Sequence, residues 1–196
     1  MLSPAQQAAI PIMAAAAVAS EIATRENGNP GLPAELTMAQ CIFECSWLQK
    51  APGNNAFGIK SYPGCFGIQI LPTTEWMTTD ESVKYRASDS RRSATLRIPM
   101  ETNSSGRALY NCMDAFATFQ DLAACFAYHG RLITKSPRYA KAWAKYCVDG
   151  SVPDLIAGIA PIYAPGNAGY AVLIGNMAKS GTVTAAIQNA RVQAAS

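Results

Sequence analysis

The sequence predicts an α+β protein, a mainly helical chain that is interrupted by one β region. Apolar residues recur every three or four positions near the N-terminus and again after residue 116, as amphipathic helices require. Between these segments, every second position from Phe66 to Ile70 is apolar and β-prone, which is the period of a strand. A chain of 196 residues can enclose a hydrophobic core, so we expect a single domain over residues 1–196.

The composition is that of a folded protein with few charges. Apolar residues make up 49% of the chain and charged residues 15%, which argues against disorder. A net charge of +3 permits attraction to an anionic polymer, but no dense basic patch indicates a nucleic-acid partner. The apolar run from Ile10 is too short to span a membrane, and no basic segment precedes it as in a signal peptide. We therefore expect no membrane segment. No signal peptide is recognisable, so the sequence does not indicate a route of export.

Two helices are predicted before the β region. The first runs from Ser3 to about Arg25, because Ser3 is a good N-cap and Pro4 suits a first turn. The second begins near Pro33 and ends before the Pro-Gly pair at residues 52–53. Its buried face is predicted to comprise Leu36, Ala39, Phe43 and Trp47.

Glu44 lies on this second helix among apolar neighbours. Its position near the helix C-terminus and its partial burial both disfavour the charged form, so both raise the pKa of a glutamate. A general acid that works at neutral pH needs such a shift. From spacing alone, a glutamate at the rim of a packed helix, with its carboxylate in water, is the alternative interpretation.

The β region is predicted from Phe57 to Met77, with Pro72 limiting its pairing. Glu75, near its end, is by spacing alone an ordinary solvated charge. The polar and basic stretch at about 80–114 is predicted to be an inserted hairpin. It is either a solvated hairpin or a basic lip over a substrate cleft.

The rest of the chain is predicted to be mostly helical. Residues 116–134 change from strand to helix, and Ser136 is placed to cap the next helix. His129 has no adjacent nucleophile or carboxylate, so we interpret it as a packed or surface histidine. Tyr163 is predicted in a loop after a short helix. A further helix is predicted over residues 152–160, and residues 182–195 are predicted to form a mostly polar helix or tail.

Six cysteines form no C-x-x-C motif, and His129 is the only histidine, so no zinc site is predicted. Cys41 and Cys45, four residues apart, share a helix face and are poorly placed to bond each other. Disulfides and buried free thiols both stay open, because six cysteines allow 15 pairings.

Four short motifs carry a resemblance to a known family. ECSW followed by NNAFGIK resembles the acid-bearing helix and the strand after it in glycoside hydrolase family 73, the flagellar-type and autolysin endo-β-N-acetylglucosaminidases. The matching residues are Ala39, Gln40, Glu44, Trp47, Asn54, Asn55, Phe57, Gly58, Ile59 and Lys60. Cys45 stands where the family has serine, and Leu48 where it has glycine.

The other three motifs follow in the family's order. TTEW resembles the family's second-acid segment and places Glu75 at that acid. SPRYA from Ser136 resembles the start of a later helix. Tyr163 and Tyr170 match the two tyrosines of a Y-A-T-D-P-x-Y-A segment, although the loop between them differs. The resemblance extends from about Leu36 to Met177, which is most of the chain.

The resemblance implies a lysozyme-like fold, with a helical body and a small β-hairpin lobe beside a catalytic groove. It implies an enzyme that cleaves the β-1,4 bond after N-acetylglucosamine in peptidoglycan, without a metal or cofactor. Glu44 would be the general acid, Glu75 the second acid and Tyr163 an orienting group. The expected substrate-binding residues are Trp47, Asn55, Trp76 and Tyr170.

Two alternatives stay open at this stage. An N-acetylmuramidase or lytic transglycosylase would share the helix glutamate, and a non-catalytic glycan-binding or structural module would explain the changes at Cys45 and in the tyrosine loop. The resemblance implies action at the cell wall, in the periplasm or outside the cell, with peptidoglycan glycan strands as partner. A larger phage, flagellar or secretion assembly is a further partner that it suggests.

Overall fold

A computed structural model describes residues 2–26, 28–98, 100–103 and 105–196. Within these ranges the chain forms eight α-helices and one three-stranded antiparallel sheet, which confirms the predicted α+β class. The helices are Pro4–Ala23 (α1), Ala34–Cys45 (α2), Thr79–Ser88 (α3), Leu122–Lys135 (α4), Ala140–Asp149 (α5), Val152–Tyr163 (α6), Tyr170–Ala178 (α7) and Gly181–Ala194 (α8). The strands are Gly67–Met77 (β1), Ser93–Leu96 (β2) and Ala108–Thr118 (β3).

The chain divides into two compact units. The helical unit contains the chain up to Phe57 and from Gln120 to Ser196, and the sheet unit is Gly58–Phe119. No helix of the described ranges is both long enough and apolar enough to cross a membrane.

The core of the helical unit lies between α2 and the helices of the C-terminal half. The largest buried members of this core are Leu32, Leu36, Ile133, Leu155, Ile159, Tyr170 and Ile174. The helix α1 begins as predicted, because Ser3 and Gln6 form a capping box and Pro4 occupies the first position. Gly130 lets α4 approach α1 closely, since a Cβ atom there would lie 2.7 Å from the Ser20 hydroxyl oxygen.

One arginine links three helices of this unit. Arg191 on α8 donates to both oxygens of the Glu35 carboxylate on α2, at 2.6 and 3.0 Å. The same guanidinium also donates to Glu21 on α1, at 2.8 Å from its Nη2 atom. Because these contacts are partly buried and bidentate, they hold α8 against α1 and α2 more firmly than a surface ion pair would.

The sheet unit has the strand order β1-β3-β2. The strand β1 continues through Pro72, which faces Met113 of β3, so this proline does not limit the pairing of β1 with β3. The physical reason is that β1 is an edge strand, where a proline can leave its missing N–H on the unpaired side. One face of the sheet packs against α3 through a core of Met77, Ala94, Tyr110 and Cys112, with Tyr85 on the helix.

The stretch at about 80–114, where an inserted hairpin is expected, contains a helix as well as paired strands. β2 and β3 pair antiparallel, and about the first quarter of the stretch belongs to the helix α3. Thr78 and Glu81 form a capping box at the start of this helix, and this motif was overlooked because the segment is polar on all sides.

Three further predictions near helix ends need correction. The helix α2 ends at Cys45, so Trp47 lies outside it, and Phe43 is exposed rather than buried. Ser136 does not cap α5, which begins at Ala140 after a turn, and it occupies the C-cap position of α4 instead. Tyr163 is the last residue of α6 and not a loop residue.

Candidate active site

The chain reverses sharply just after Glu44. Ser46, Trp47 and Leu48 all have left-handed backbone conformations, with φ values of 51°, 62° and 65°. Such conformations cost about 1 kcal/mol or more for each residue other than glycine, so surrounding contacts must hold them. One contact is the backbone hydrogen bond from Lys50 N–H to the Cys45 carbonyl, at 2.9 Å. This turn therefore fixes where α2 stops and how Glu44 is presented.

The thiol of Cys45 is a second anchor of this turn. Its sulfur accepts a hydrogen bond from the Leu48 N–H at 3.3 Å and donates to the Cys41 carbonyl at 3.0 Å. The Cys41 sulfur lies 3.5 Å away, and its hydrogen bond is the main cause that lowers the pKa of Cys45. A serine hydroxyl could make the same donor and acceptor contacts, which explains physically how cysteine replaces the family's serine here.

We predict that Cys45→Ala lowers the free energy of unfolding by about 1–2 kcal/mol, because the Leu48 N–H loses its acceptor in the strained turn. Cys45→Ser should retain most of this stability. Urea unfolding followed by circular dichroism measures the difference, with Cys147→Ala at a partly exposed thiol as the control. Equal destabilisation by Cys45→Ala and Cys45→Ser would contradict the anchoring role.

Glu44 combines exposure with a perturbed carboxyl group. The residue reaches solvent, yet its carboxyl lies beside Tyr163 and Tyr170. Burial raises the pKa of Glu44, and hydrogen bonding with the Tyr170 hydroxyl opposes this rise without cancelling it. The raised pKa agrees with the prediction from the sequence. A carboxyl group that solvent can reach and that holds a proton more tightly than usual is suited to general acid catalysis.

The two tyrosines near Glu44 belong to a row of aromatic rings in the helical unit. Tyr163 stacks on Tyr170 with 5.6 Å between ring centroids, and His129 meets Tyr163 edge-on at 5.8 Å. The His129 ring stacks on Phe57 at 3.8 Å. We call Phe57, His129, Tyr163 and Tyr170 the aromatic row. It provides a rigid support for the side of α2 that carries Glu44.

Tyr170 is fully buried, so its role is one of support rather than of direct substrate contact. Its hydroxyl accepts a hydrogen bond from the Gln40 side chain at 3.1 Å. Tyr163 is half-buried, and burial together with the nearby Glu44 charge raises its pKa well above the ordinary value. The Tyr163 hydroxyl therefore keeps its proton at neutral pH and can donate a hydrogen bond.

His129 is packed in the aromatic row, as the sequence predicted. It is 1% exposed, and neither ring nitrogen has a hydrogen-bond partner within the described part of the chain. Burial lowers the pKa of His129 to about 3, so the imidazole is neutral at physiological pH.

Two other residues of the helical unit, Asn55 and Trp47, were expected to bind substrate, and their surroundings differ from those of Tyr170. Asn55 is buried, so its side chain does not line an open surface. Trp47 is half-buried and lies in a largely apolar groove of about 810 Å³ beside α7, with Val172, Leu173 and Met177. Trp47 lies beside α7 as part of the left-handed turn that follows α2.

In the sheet unit, Glu75 is part of a network of four charged side chains. Lys60 lies between two carboxylates, at 2.8 Å from Glu75 and 2.5 Å from Asp114. The Nε atom of Arg92 lies 2.7 Å from the other oxygen of Asp114. Sequence reasoning missed Asp114, although a carboxylate inside the apolar run from Leu109 to Phe119 was a signal that it needs partners.

Trp76 and Glu75 point to opposite faces of the sheet, because successive residues of a strand alternate. Glu75 faces Tyr110 in the strand pairing and shares its side of the sheet, whereas Trp76 faces Leu109 and is 39% exposed. The two residues therefore cannot line the same side of this sheet.

All six cysteines are free thiols, which resolves the alternatives that the sequence left open. Within the described ranges, no group of three or more histidine, cysteine or acidic side chains is arranged to hold a metal ion.

Comparison with solved structures relates this fold to cell-wall hydrolases. The catalytic domain of the autolysin Auto from Listeria monocytogenes superposes with a TM-score of 0.60 at 20% identity, over 95% of this chain and 89% of that chain. A peptidoglycan hydrolase mutant from Sphingomonas sp. A1 gives 0.60 at 18% identity, over 93% and 99%. A truncated glycoside hydrolase domain of Salmonella typhimurium FlgJ gives 0.53 at 18% identity, over 87% and 95%. At these identities the likeness shows the fold, which is the predicted lysozyme-like one.

Comparison of sequences gives the family. No curated protein is a significant match to the chain. A sequence model of the glucosaminidase family, described as mannosyl-glycoprotein endo-beta-N-acetylglucosaminidase, matches residues 20–180. The matched residues include Glu44 with its left-handed turn, the strand that carries Glu75 and the aromatic row. Because the match covers most of the sequence, the chain belongs to the glucosaminidase family.

Proposed function

We propose that this protein is an endo-β-N-acetylglucosaminidase that cleaves the β-1,4 bond after N-acetylglucosamine in peptidoglycan, with Glu44 as general acid. The observation that carries the proposal is Glu44, a residue that reaches solvent while partial burial of its carboxyl group, near Tyr163, raises its pKa. Membership of the glucosaminidase family and the fold shared with peptidoglycan hydrolases support the same reaction.

In the proposed reaction, Glu44 transfers its proton to the glycosidic oxygen as the bond to the sugar breaks. Positive charge then develops on the sugar ring, and it needs a nearby negative or electron-rich group. The Glu75 carboxylate is our candidate for that group or for the base that activates water. The acetamido group of the substrate is the other source of stabilisation. The Tyr163 hydroxyl, which stays protonated, would orient the acetamido group by hydrogen bonding.

The identity of the cleaved bond can be tested with purified peptidoglycan. After digestion and borohydride reduction, mass spectrometry should find fragments that end in reduced N-acetylglucosamine. Reduced N-acetylmuramic acid would identify an N-acetylmuramidase instead, and anhydro-N-acetylmuramic acid ends, which borohydride does not reduce, would identify a lytic transglycosylase. Binding to peptidoglycan without release of fragments would contradict catalysis and support a non-catalytic module.

The proposed substrate also implies the place of action. A peptidoglycan hydrolase must reach the cell wall, so we infer that the protein acts in the periplasm or outside the cell. Its resemblance to flagellar-type hydrolases further suggests that the protein acts as part of a larger phage, flagellar or secretion assembly. Fractionation of the producing cells, followed by detection of this chain, would test the location.

A further inference from the structure

Asp114 is a buried carboxylate that is surrounded by positive charge. Only 2% of the residue is exposed, and its oxygens lie 2.5 Å from Lys60 Nζ and 2.7 Å from Arg92 Nε. The Ala115 N–H also donates to it, at 2.7 Å. Burial opposes ionisation, but the hydrogen bonds from Lys60 and Ala115 and the charges of both cations outweigh it. The pKa of Asp114 therefore lies below its usual value, and the carboxylate is a fixed negative charge.

Lys60 is held at both ends. Two backbone hydrogen bonds of 2.9 Å join residues 59 and 61 to β3, so the Lys60 backbone lies along this strand. Its ammonium group lies 4.3 Å from the centroid of the Phe116 ring and contacts Asp114. A lysine on a flexible stem normally samples many positions. Here the buried Asp114 restricts the ammonium to one of them.

The same ammonium group holds the Glu75 carboxylate at 2.8 Å. Asp114 and Glu75 lie on one face of the sheet, because Asp114 faces Leu71, which is four residues before Glu75 on β1. Without Asp114, the ammonium would keep only the half-exposed Glu75 side chain and the Phe116 ring as partners, and neither is a buried charge. The order of the contacts therefore runs from the buried Asp114 outward to Glu75.

We propose that Asp114 is a positioning residue of the enzyme, which acts through Lys60 to hold the Glu75 carboxylate in its reactive place. This inference rests on the role that the proposed function gives to Glu75. Asp114 itself is buried and touches no substrate. Since a misplacement of about 1 Å can cost about 100-fold in rate, its loss should reduce kcat.

A double-mutant cycle tests the proposal on soluble glycan fragments of alternating N-acetylglucosamine and N-acetylmuramic acid. Asp114→Asn should lower kcat by about 10- to 100-fold with KM within about twofold, and it should have no further effect in the Glu75→Gln background. Lys60→Met should behave in the same way. The Lys60→Met variant keeps the Asp114–Arg92 pair and changes only a half-exposed side chain. It therefore replaces Asp114→Asn in the experiment if Asp114→Asn fails to fold. Asp89→Asn, at an exposed pair with Arg91, is the control and should leave kcat unchanged.

Three results would overturn the inference. The first is a wild-type kcat in Asp114→Asn or Lys60→Met, and the second is a loss that multiplies with that of Glu75→Gln, as a general structural effect would. The third, a wild-type kcat in Glu75→Gln, removes the role of Glu75 and the inference with it, but leaves hydrolysis by Glu44 standing. Loss of hydrolysis in Glu44→Gln reports separately on the proposed function.

Discussion

Replacing Glu44 by glutamine is expected to reduce peptidoglycan hydrolysis by about 10²- to 10⁴-fold, which is the usual contribution of a general acid. Glutamine has nearly the same shape but no proton to donate to the glycosidic oxygen. The rate of release of soluble fragments from purified peptidoglycan measures the loss. The wild-type rate should also fall as the pH rises through the raised pKa of Glu44, because the acid must be protonated to act. The residual activity of Glu44→Gln should lack this alkaline decrease.

The matched control is Glu26→Gln in the same unit, which makes the same chemical change at an exposed ion pair with Lys135. It should hydrolyse peptidoglycan at the wild-type rate. Thermal unfolding of both variants shows that each is folded. A Glu44→Gln protein that is as active as Glu26→Gln would remove Glu44 from the proposed mechanism.

Acidification from pH 7 to pH 5 is expected to lower the free energy of unfolding by about 2 kcal/mol through His129 alone. In the unfolded chain this histidine binds a proton near its ordinary pKa of 6.5, whereas in the folded protein burial lowers the pKa to about 3. Above pH 6.5 neither state binds the proton, so the histidine costs nothing. Between pH 6.5 and pH 3 only the unfolded state binds it, and stability is lost as the pH falls.

His129→Phe should remove this pH dependence, because phenylalanine keeps the stacking on Phe57 and the imidazole has no hydrogen-bond partner among the described residues that would be lost. His129→Leu is a second variant in case the larger ring does not fit. Urea unfolding at pH 5, 6 and 7 gives the difference between each variant and wild type. His129 is the single histidine, so no other imidazole contributes. An equal loss of stability in wild type and variants would contradict the assignment.

Much of the helical unit could be predicted from local sequence patterns. The capping box at Ser3, the periodic apolar residues of α2 and the strand-to-helix change before α4 depend on residues a few positions apart. The raised pKa of Glu44 was predicted for the same reason, since its apolar neighbours are close in sequence. Trp47 was placed on the wrong element because the left-handed turn depends on the thiol of Cys45 and on backbone contacts that a periodicity does not encode.

By itself, the sequence determined the fold class and the family and predicted Glu44 as the general acid, because these inferences depend on short motifs and on spacings within single helices. Only the tertiary structure decided which charges meet. Lys60 and Asp114 are 54 residues apart in sequence, and strand pairing brings them into contact. It also decided that Glu75 and Trp76 point to opposite faces, that Tyr170 is buried and that His129 has no polar partner among the residues that the structure describes. These features depend on packing between residues that are far apart in sequence, so the residues next to each position do not determine them.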